Sequence, residues 1–148
     1  MTIALRAACL ADYSFAYDLY VETIKPLASA WMVWVDKEQE AQFARLWRPE
    51  DTRIITLNGQ DFGWVEFRQA GDEIFLKQLY ISPEHQRRGV GSRVIRWLLG
   101  EQYRTAKSMA LFVLKNNAAF RFYERHDFEA VWETHTTLVM RRGMVEAA

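Results

Sequence analysis

The chain has 148 residues, half of them hydrophobic, 26% charged, with no net charge. This predicts one domain over residues 1–148 with an ordinary core, needing no disulfide or metal staple. Zero net charge argues against a dedicated nucleic-acid binder, and no stretch approaches the ~20 apolar residues that span a membrane. Residues 1–10 are interrupted by Arg6 and too short for the apolar core of a signal peptide. Cys9 is the only cysteine, and His85, His126 and His135 show no H-x-x-x-H spacing, so no metal site is expected. A cytoplasmic protein is the default expectation. Fourteen of the basic residues are Arg and five are Lys, a ratio that suits bidentate phosphate contacts, although GC-rich coding produces the same bias.

Thr2 to Ala7 read as a short strand. Asp12 opens a helical pattern carrying Phe15, Leu19 and Ile24, and Pro26 should limit that helix. Asp36 with Gln39 resembles an N-cap arrangement. A second helix is predicted from there to about Trp47, offering Ala41, Phe43, Ala44 and Leu46 for burial. Arg53 to Leu57 is β-branched and precedes Asn58-Gly59, a strong hairpin signal because a type I′ turn needs positive φ at both central positions. Asp61 to Gln69 is the return strand, and Ala70-Gly71-Asp72 the next turn. Glu73 to Ile81 is apolar on both faces except Lys77 and Gln78, which predicts cover on both sides. Gly89 to about Tyr103 is helical and Met109 to Leu114 a buried strand. Asn116 or Asn117 caps a helix carrying Ala119, Phe120, Phe122 and Tyr123, and Phe128 to Trp132 with Thr136 to Met140 make a final hairpin. The order β-α-α-β-β-β-α-β-α-β-β predicts an α/β (α+β) fold, a mixed and mostly antiparallel central sheet with helices on both faces.

The chemistry concentrates at Gln86-Arg87-Arg88-Gly89-Val90-Gly91-Ser92, between a strand and a helix. Gly89 and Gly91 let the backbone approach a ligand with no Cβ in the way. The first N–H groups of the helix have no intrahelical partner, and with the positive dipole end they form an anion site. Arg87 and Arg88 add charge. A tight turn with two solvated arginines is the alternative. The loop is neither a Walker A sequence nor a dinucleotide fingerprint, since Val94 stands where a third small residue would be needed.

Gln86-x-x-Gly89-x-Gly91 resembles the acetyl-CoA pyrophosphate motif of the GNAT superfamily of acyl-CoA N-acyltransferases. The resemblance runs backward through Leu79-Tyr80-Ile81-Ser82-Pro83-Glu84. It runs forward to Asn116-x-x-Ala119-x-x-Phe122-Tyr123-Glu124, similar to the family's second signature. It covers roughly Arg53 to Arg142; before that only a strand and two helices match. One departure is Asp127, where the family usually has Gly in a left-handed turn; Asp tolerates that region better than most residues.

The resemblance implies transfer of an acetyl group from acetyl-CoA to an amine of a small molecule or protein by direct attack in a ternary complex. The pyrophosphate would lie on Gln86, Arg87, Arg88, Gly89, Val90, Gly91 and Ser92. The pantetheine arm would pair with Leu79, Tyr80 and Ile81, where a backbone N–H also meets the thioester oxygen, and would touch Asn116. Tyr123 would protonate the leaving thiolate as general acid; the alternative is a core ring beside Phe122. Asn116 and Tyr123, seven residues apart, are expected on one helix face. For the base, Glu73 is a candidate, with Phe75 competing for the equivalent position. Glu66, Gln78 as a water holder, and a water chain are further options. His85 is expected at the surface and Cys9 buried. The acceptor region would draw on Tyr17, Tyr20, Lys25, Trp31, Trp34, Trp64 and Phe67, an aromatic set suited to a cation or to ordinary packing. Expected partners are acetyl-CoA and an amine acceptor, without nucleic acid, membrane or metal; a homodimer is compatible with this reading. Two rivals remain: a non-catalytic coenzyme A sensor on the same fold, and an Arg-rich nucleic-acid module disfavoured by the charge balance.

Overall fold

The computed structural model describes residues 2–86, 88–101 and 106–143. In chain order these form β1 (Ile3–Ala7), α1 (Tyr13–Ala28), α2 (Asp36–Leu46), β2 (Thr52–Leu57), β3 (Gln60–Ala70), β4 (Glu73–Ile81), α3 (Val90–Glu101), β5 (Ser108–Leu114), α4 (Ala119–Arg125), β6 (Glu129–Glu133) and β7 (Thr137–Gly143). The strands make one mostly antiparallel sheet in the order β1-β2-β3-β4-β5-β7-β6. The predicted mixed fold with its element order is therefore observed. The chain divides into two compact units, Met1–Glu66 with Gln78–His85, and Phe67–Lys77 with Gln86–Ala148.

In the first unit, β2 is antiparallel to both β1 and β3. Asn58 and Gly59 both have positive φ, as the hairpin required. Register shifts between Ile55 and Thr56, which face Gly63 and Asp61, so Phe62 is the extra residue of a bulge. Asp12 organises the turn from β1 into α1. Its carboxylate takes two hydrogen bonds from the Arg6 guanidinium, at 2.8 and 3.0 Å, and one from the Cys9 N–H at 2.9 Å. Arg6 holds the Asp12 carboxyl below its ordinary range. Ala16, Leu19, Phe43, Ile54 and Trp64 form the core, and the Trp64 indole donates to the Ala16 carbonyl at 3.1 Å.

Pro26 limits α1 as expected, standing in the last turn of a helix that ends at Ala28. The helix stops where the Ser29 backbone N–H and hydroxyl both donate to the Lys25 carbonyl. Several local expectations are corrected here. Asp36 is not the N-cap of α2; Val35 is, in extended conformation. The Asp36 carboxylate instead accepts from Trp34 Nε1 at 2.9 Å and Lys25 Nζ at 3.1 Å, clipping the α1–α2 connection. Of the four residues offered by α2, only Phe43 is buried; Ala41, Ala44 and Leu46 are exposed. Cys9 is exposed rather than buried.

In the second unit, β5 pairs in parallel with Glu73–Leu76 of β4 and antiparallel with all of β7, which lies between β5 and β6. Ile74 and Leu76 of β4 are buried, whereas Glu73, Phe75 and Lys77 are half-buried, so the strand is fully covered on one side only. Met109, Leu111 and Val113 line the buried side of β5, and Val90, Val94, Ile95 and Leu98 the buried side of α3. The N-cap position of α4 is Ala118; of the two asparagines, Asn117 bonds at the helix start, its Oδ1 accepting from the Ala119 N–H at 2.9 Å. Asp127 has φ +69°, the left-handed turn expected of it.

Candidate functional site

Gly89 has φ +80°, a conformation open to glycine at little cost, and turns the chain directly into α3. Its carbonyl accepts from the Arg93 N–H at 3.1 Å, so the helix ladder begins here. The N–H groups of Val90, Gly91 and Ser92 therefore belong to the first turn, where no intrahelical acceptor exists. Gln86, Arg88 and Gly89 are exposed, Gly91 and Ser92 half-buried. Arg87 lies outside the described residues.

Ser92 Oγ is 2.9 Å from His126 Nε2. This contact ties the first turn of α3 to the end of α4. Burial lowers the His126 pKa, and the positive charges of Arg96, Arg125 and Arg142 lower it further. Arg142 also donates to the His126 carbonyl at 2.8 Å. Asp127 acts on that pKa in the opposite direction. Sequence reading missed His126 and these three arginines because no spacing links them to residue 92; strand and helix packing does.

Tyr123 is buried in the same unit, with its ring 5.2 Å from that of Phe122 and 5.7 Å from that of Phe128. Its hydroxyl makes no hydrogen bond among the described residues, and burial alone pushes its pKa up. The phenol is thus held in its protonated form. Asn116 is exposed in the turn before α4, which starts only at Ala119. The two residues do not share a helix face, because the intervening chain is not helical throughout.

Glu73 stands at the opposite end of β4 from Leu79–Ile81. Its Oε2 accepts from Ser108 Oγ at 2.7 Å and pairs with Arg141 Nε at 2.8 Å. These contacts tie β4 to β5 and β7. Phe75 packs edge-on to Phe112 at 4.9 Å and has no proton-accepting group. Phe67, expected near the acceptor, meets Trp97 of α3 at 5.9 Å instead.

In the first unit the other candidates come together. Gln78 Nε2 donates to Glu66 Oε1 at 2.9 Å, and Tyr80 Oη donates to Gln78 Oε1 at 3.0 Å. Glu66 is only 1% exposed. The Tyr80 ring lies 5.1 Å from Trp64 and 5.9 Å from Tyr20. Tyr20 in turn contacts Phe43 and Trp34. Trp64 is fully buried, so the aromatic set is core at its base and half-buried at Tyr17, Tyr20, Trp34 and Tyr80. His85 is half-buried rather than on the surface; its Nδ1 is 2.7 Å from Ser82 Oγ, and its ring packs on Phe62.

Residues 29–130 match the family model for the acetyltransferase (GNAT) domain. The chain belongs to the GNAT acetyltransferase family. Solved GNAT-type structures share its fold. A PaiA N-acetyltransferase from Thermoplasma acidophilum, solved with coenzyme A, superimposes with TM-score 0.77 at 15% identity, covering 97% of this chain and 99% of that one. The ribosomal-protein-S18-alanine N-acetyltransferase of Escherichia coli gives 0.72 at 20% identity, with 99% and 97% covered. Naa50 of Arabidopsis thaliana, bound to a bisubstrate analogue, gives 0.67 at 16% identity, with 96% and 99% covered. No curated protein sequence matches this GNAT chain.

Proposed function

We propose that this GNAT domain, spanning residues 1–148, transfers an acetyl group from acetyl-CoA to an amine by direct attack. The observation that carries this reading is the passage from β4 through Gly89, at φ +80°, into the first turn of α3. It supplies unpaired N–H donors, a dipole end and neighbouring arginines to one anion. Gln86, Arg88, Gly89, Val90, Gly91 and Ser92 take the pyrophosphate, with Arg87 as an added cation. Leu79, Tyr80 and Ile81 offer their backbone to the extended pantetheine arm in the manner of an added strand. An N–H of that stretch meets the thioester oxygen as negative charge develops on it. Asn116, exposed in its turn, contacts the arm.

Attack by the amine nitrogen on the carbonyl carbon forms a C–N bond, and collapse breaks the C–S bond. The leaving thiolate then takes a proton, and Tyr123 is the donor. Burial keeps the phenol protonated up to the moment of transfer. The same burial makes it a weaker acid than a free phenol. A thiolate forming in a desolvated site has its own proton affinity raised in the same direction, so the two shifts offset. The amine's proton leaves through water.

The test is a thermal-shift titration with coenzyme A, followed by thiol release from acetyl-CoA with an amine panel. Binding with amine-dependent release is the expected result. Binding without release assigns the chain to a coenzyme A sensor, and the absence of both overturns the reading.

A further inference from the structure

Ser92 is the third residue of α3, and its Oγ lies 2.9 Å from His126 Nε2. A helical Cα–Cβ bond tilts toward the helix N-terminus. The Ser92 hydroxyl therefore stands on the same side as the unpaired N–H groups of the first turn. A hydroxyl has one proton to give and lone pairs to accept with. An ionised phosphate only accepts. The Ser92 proton thus goes either to His126 or to a phosphate oxygen, and His126 decides which. With Nε2 bare, the ring takes the serine proton and leaves only oxygen lone pairs toward a phosphate. With Nε2 protonated, the ring donates to Oγ and the serine proton is released to the phosphate.

Four charged groups act on this imidazole. Arg96 of α3, Arg125 of α4 and Arg142 of β7 oppose a proton on it, as does burial, while Asp127 in the turn after α4 favours one. Arg142 is itself fixed between the His126 carbonyl at 2.8 Å and the Asp127 carboxylate at 3.9 Å. The Phe122 ring, 4.8 Å away, adds no charge. In the free protein the ring is therefore neutral at neutral pH. An anion bound at Ser92 places negative charge one hydroxyl away and favours the imidazolium. A neutral ring protonated at Nε2 would also donate to Ser92, but it would forgo that attraction.

We propose that His126 is a positioning residue for the coenzyme pyrophosphate: it turns the Ser92 hydroxyl toward the phosphate and takes up a proton from solvent as the coenzyme binds. The inference rests on the acetyltransferase reading and adds a pH control to its coenzyme site. Because the bound form holds more protons than the free form, affinity rises as pH falls below the ordinary histidine value of about 6.5.

The probe is dephospho-coenzyme A, which keeps the pyrophosphate and lacks the 3′-phosphate, a monoester whose own proton titrates near pH 6. Calorimetric titration in two buffers of different ionisation enthalpy gives both Kd and the protons taken up. For the native protein Kd should tighten about threefold or more between about pH 7.5 and about pH 5.5, within the tenfold per pH unit that one proton allows. His126→Gln keeps an amide that donates to Ser92 at every pH, so its Kd should stay nearly flat and its proton uptake should fall. Ser92→Ala should bind about tenfold more weakly, the worth of one hydrogen bond to a charged group, and should also take up less proton. A native Kd that is flat over this range overturns the proposal. So does a pH dependence of equal size in native protein and His126→Gln, which would belong to another group. Should His126→Gln fail to fold, Ser92→Ala decides: proton uptake equal to native overturns the proposal. Binding of coenzyme A without binding of dephospho-coenzyme A overturns it too, since the pyrophosphate would not be what Ser92 holds. A native protein that binds neither overturns the acetyltransferase reading beneath it.

Discussion

The loop that opens α3 and the Glu66–Gln78–Tyr80 chain belong to different compact units and rely on different parts of the polypeptide. The loop offers backbone: N–H groups of consecutive residues, made approachable by two glycines. The chain offers side chains from two strands, whose order depends on how those strands are paired. A backbone site tolerates exchange of exposed side chains and fails on steric change. A side-chain network fails on loss of a single oxygen.

The strongest test of this contrast lies where a glycine serves the side-chain network. A Cβ on Gly63 would stand 2.6 Å from the Tyr80 carbonyl oxygen and 3.3 Å from Ile81 Cα, both backbone atoms. Gly63→Ala should therefore destabilise the protein by about 3 kcal/mol or more, since backbone on a paired strand cannot step aside; urea unfolding measures this. An effect below about 1 kcal/mol, the size of an ordinary surface change, would show that β4 is free to shift there.

Next in size is the loop. Coenzyme A at a hundredfold excess over Kd should stabilise the native protein by about 2.7 kcal/mol. Gly91→Val should remove most of that gain in a thermal-shift assay, whereas Arg88→Ala should lose only a part that shrinks as salt is added. Equal losses in the two variants would mean that charge, not backbone approach, holds the ligand.

Tyr123→Phe keeps the ring and removes the hydroxyl. It should leave coenzyme A affinity nearly unchanged and lower kcat by about 10²-fold, the low end for general acid catalysis, because a thiolate is already a fair leaving group. An unchanged kcat, with chemistry shown to limit the rate, would return Tyr123 to packing against Phe122 and Phe128.

The cross-strand contacts of Glu73 have their own check. Glu73→Gln should cost about 1 kcal/mol or less of stability, as for a part-exposed ion pair, and leave kcat and its pH profile as they are. Loss of the acidic limb of that profile would mark Glu73 as a base.

The smallest effects distinguish the two units by pH. His126 has a lowered pKa when folded, so between that value and the unfolded value of about 6.5 the unfolded chain binds more protons. Stability is full above that window and falls as pH drops through it, and His126→Gln should flatten this part of the curve. Asp12 is also held low, so its contribution is present above the unfolded carboxylate range and is lost as pH falls through the folded value. Arg6→Ala should flatten only that more acidic step.

Much of the fold was legible in contiguous residues. Asn58-Gly59 dictated a hairpin because few other pairs accept positive φ twice. Gly89 and Gly91 marked the turn into α3, and Asp127 could be trusted with a left-handed turn. These are properties of a few neighbouring residues and their allowed dihedral angles. The errors came where a side chain had two local options. Asp36 was free to cap its own helix and was taken by Lys25 and Trp34. Asn116 and Asn117 were equivalent until the chain path chose Asn117. The seven-residue spacing to Tyr123 implied a shared face only if the helix began early enough.

The sequence by itself determined the element order, the turns and the glycine passage into α3, because each follows from local sterics and hydrophobic period. Tertiary structure decided what each acid touches. Glu73 is engaged by Ser108 and Arg141, and Glu66 is joined through Gln78 to Tyr80. Both outcomes rest on strand pairing between residues far apart in the chain, and a one-residue slip would send each side chain to the other face.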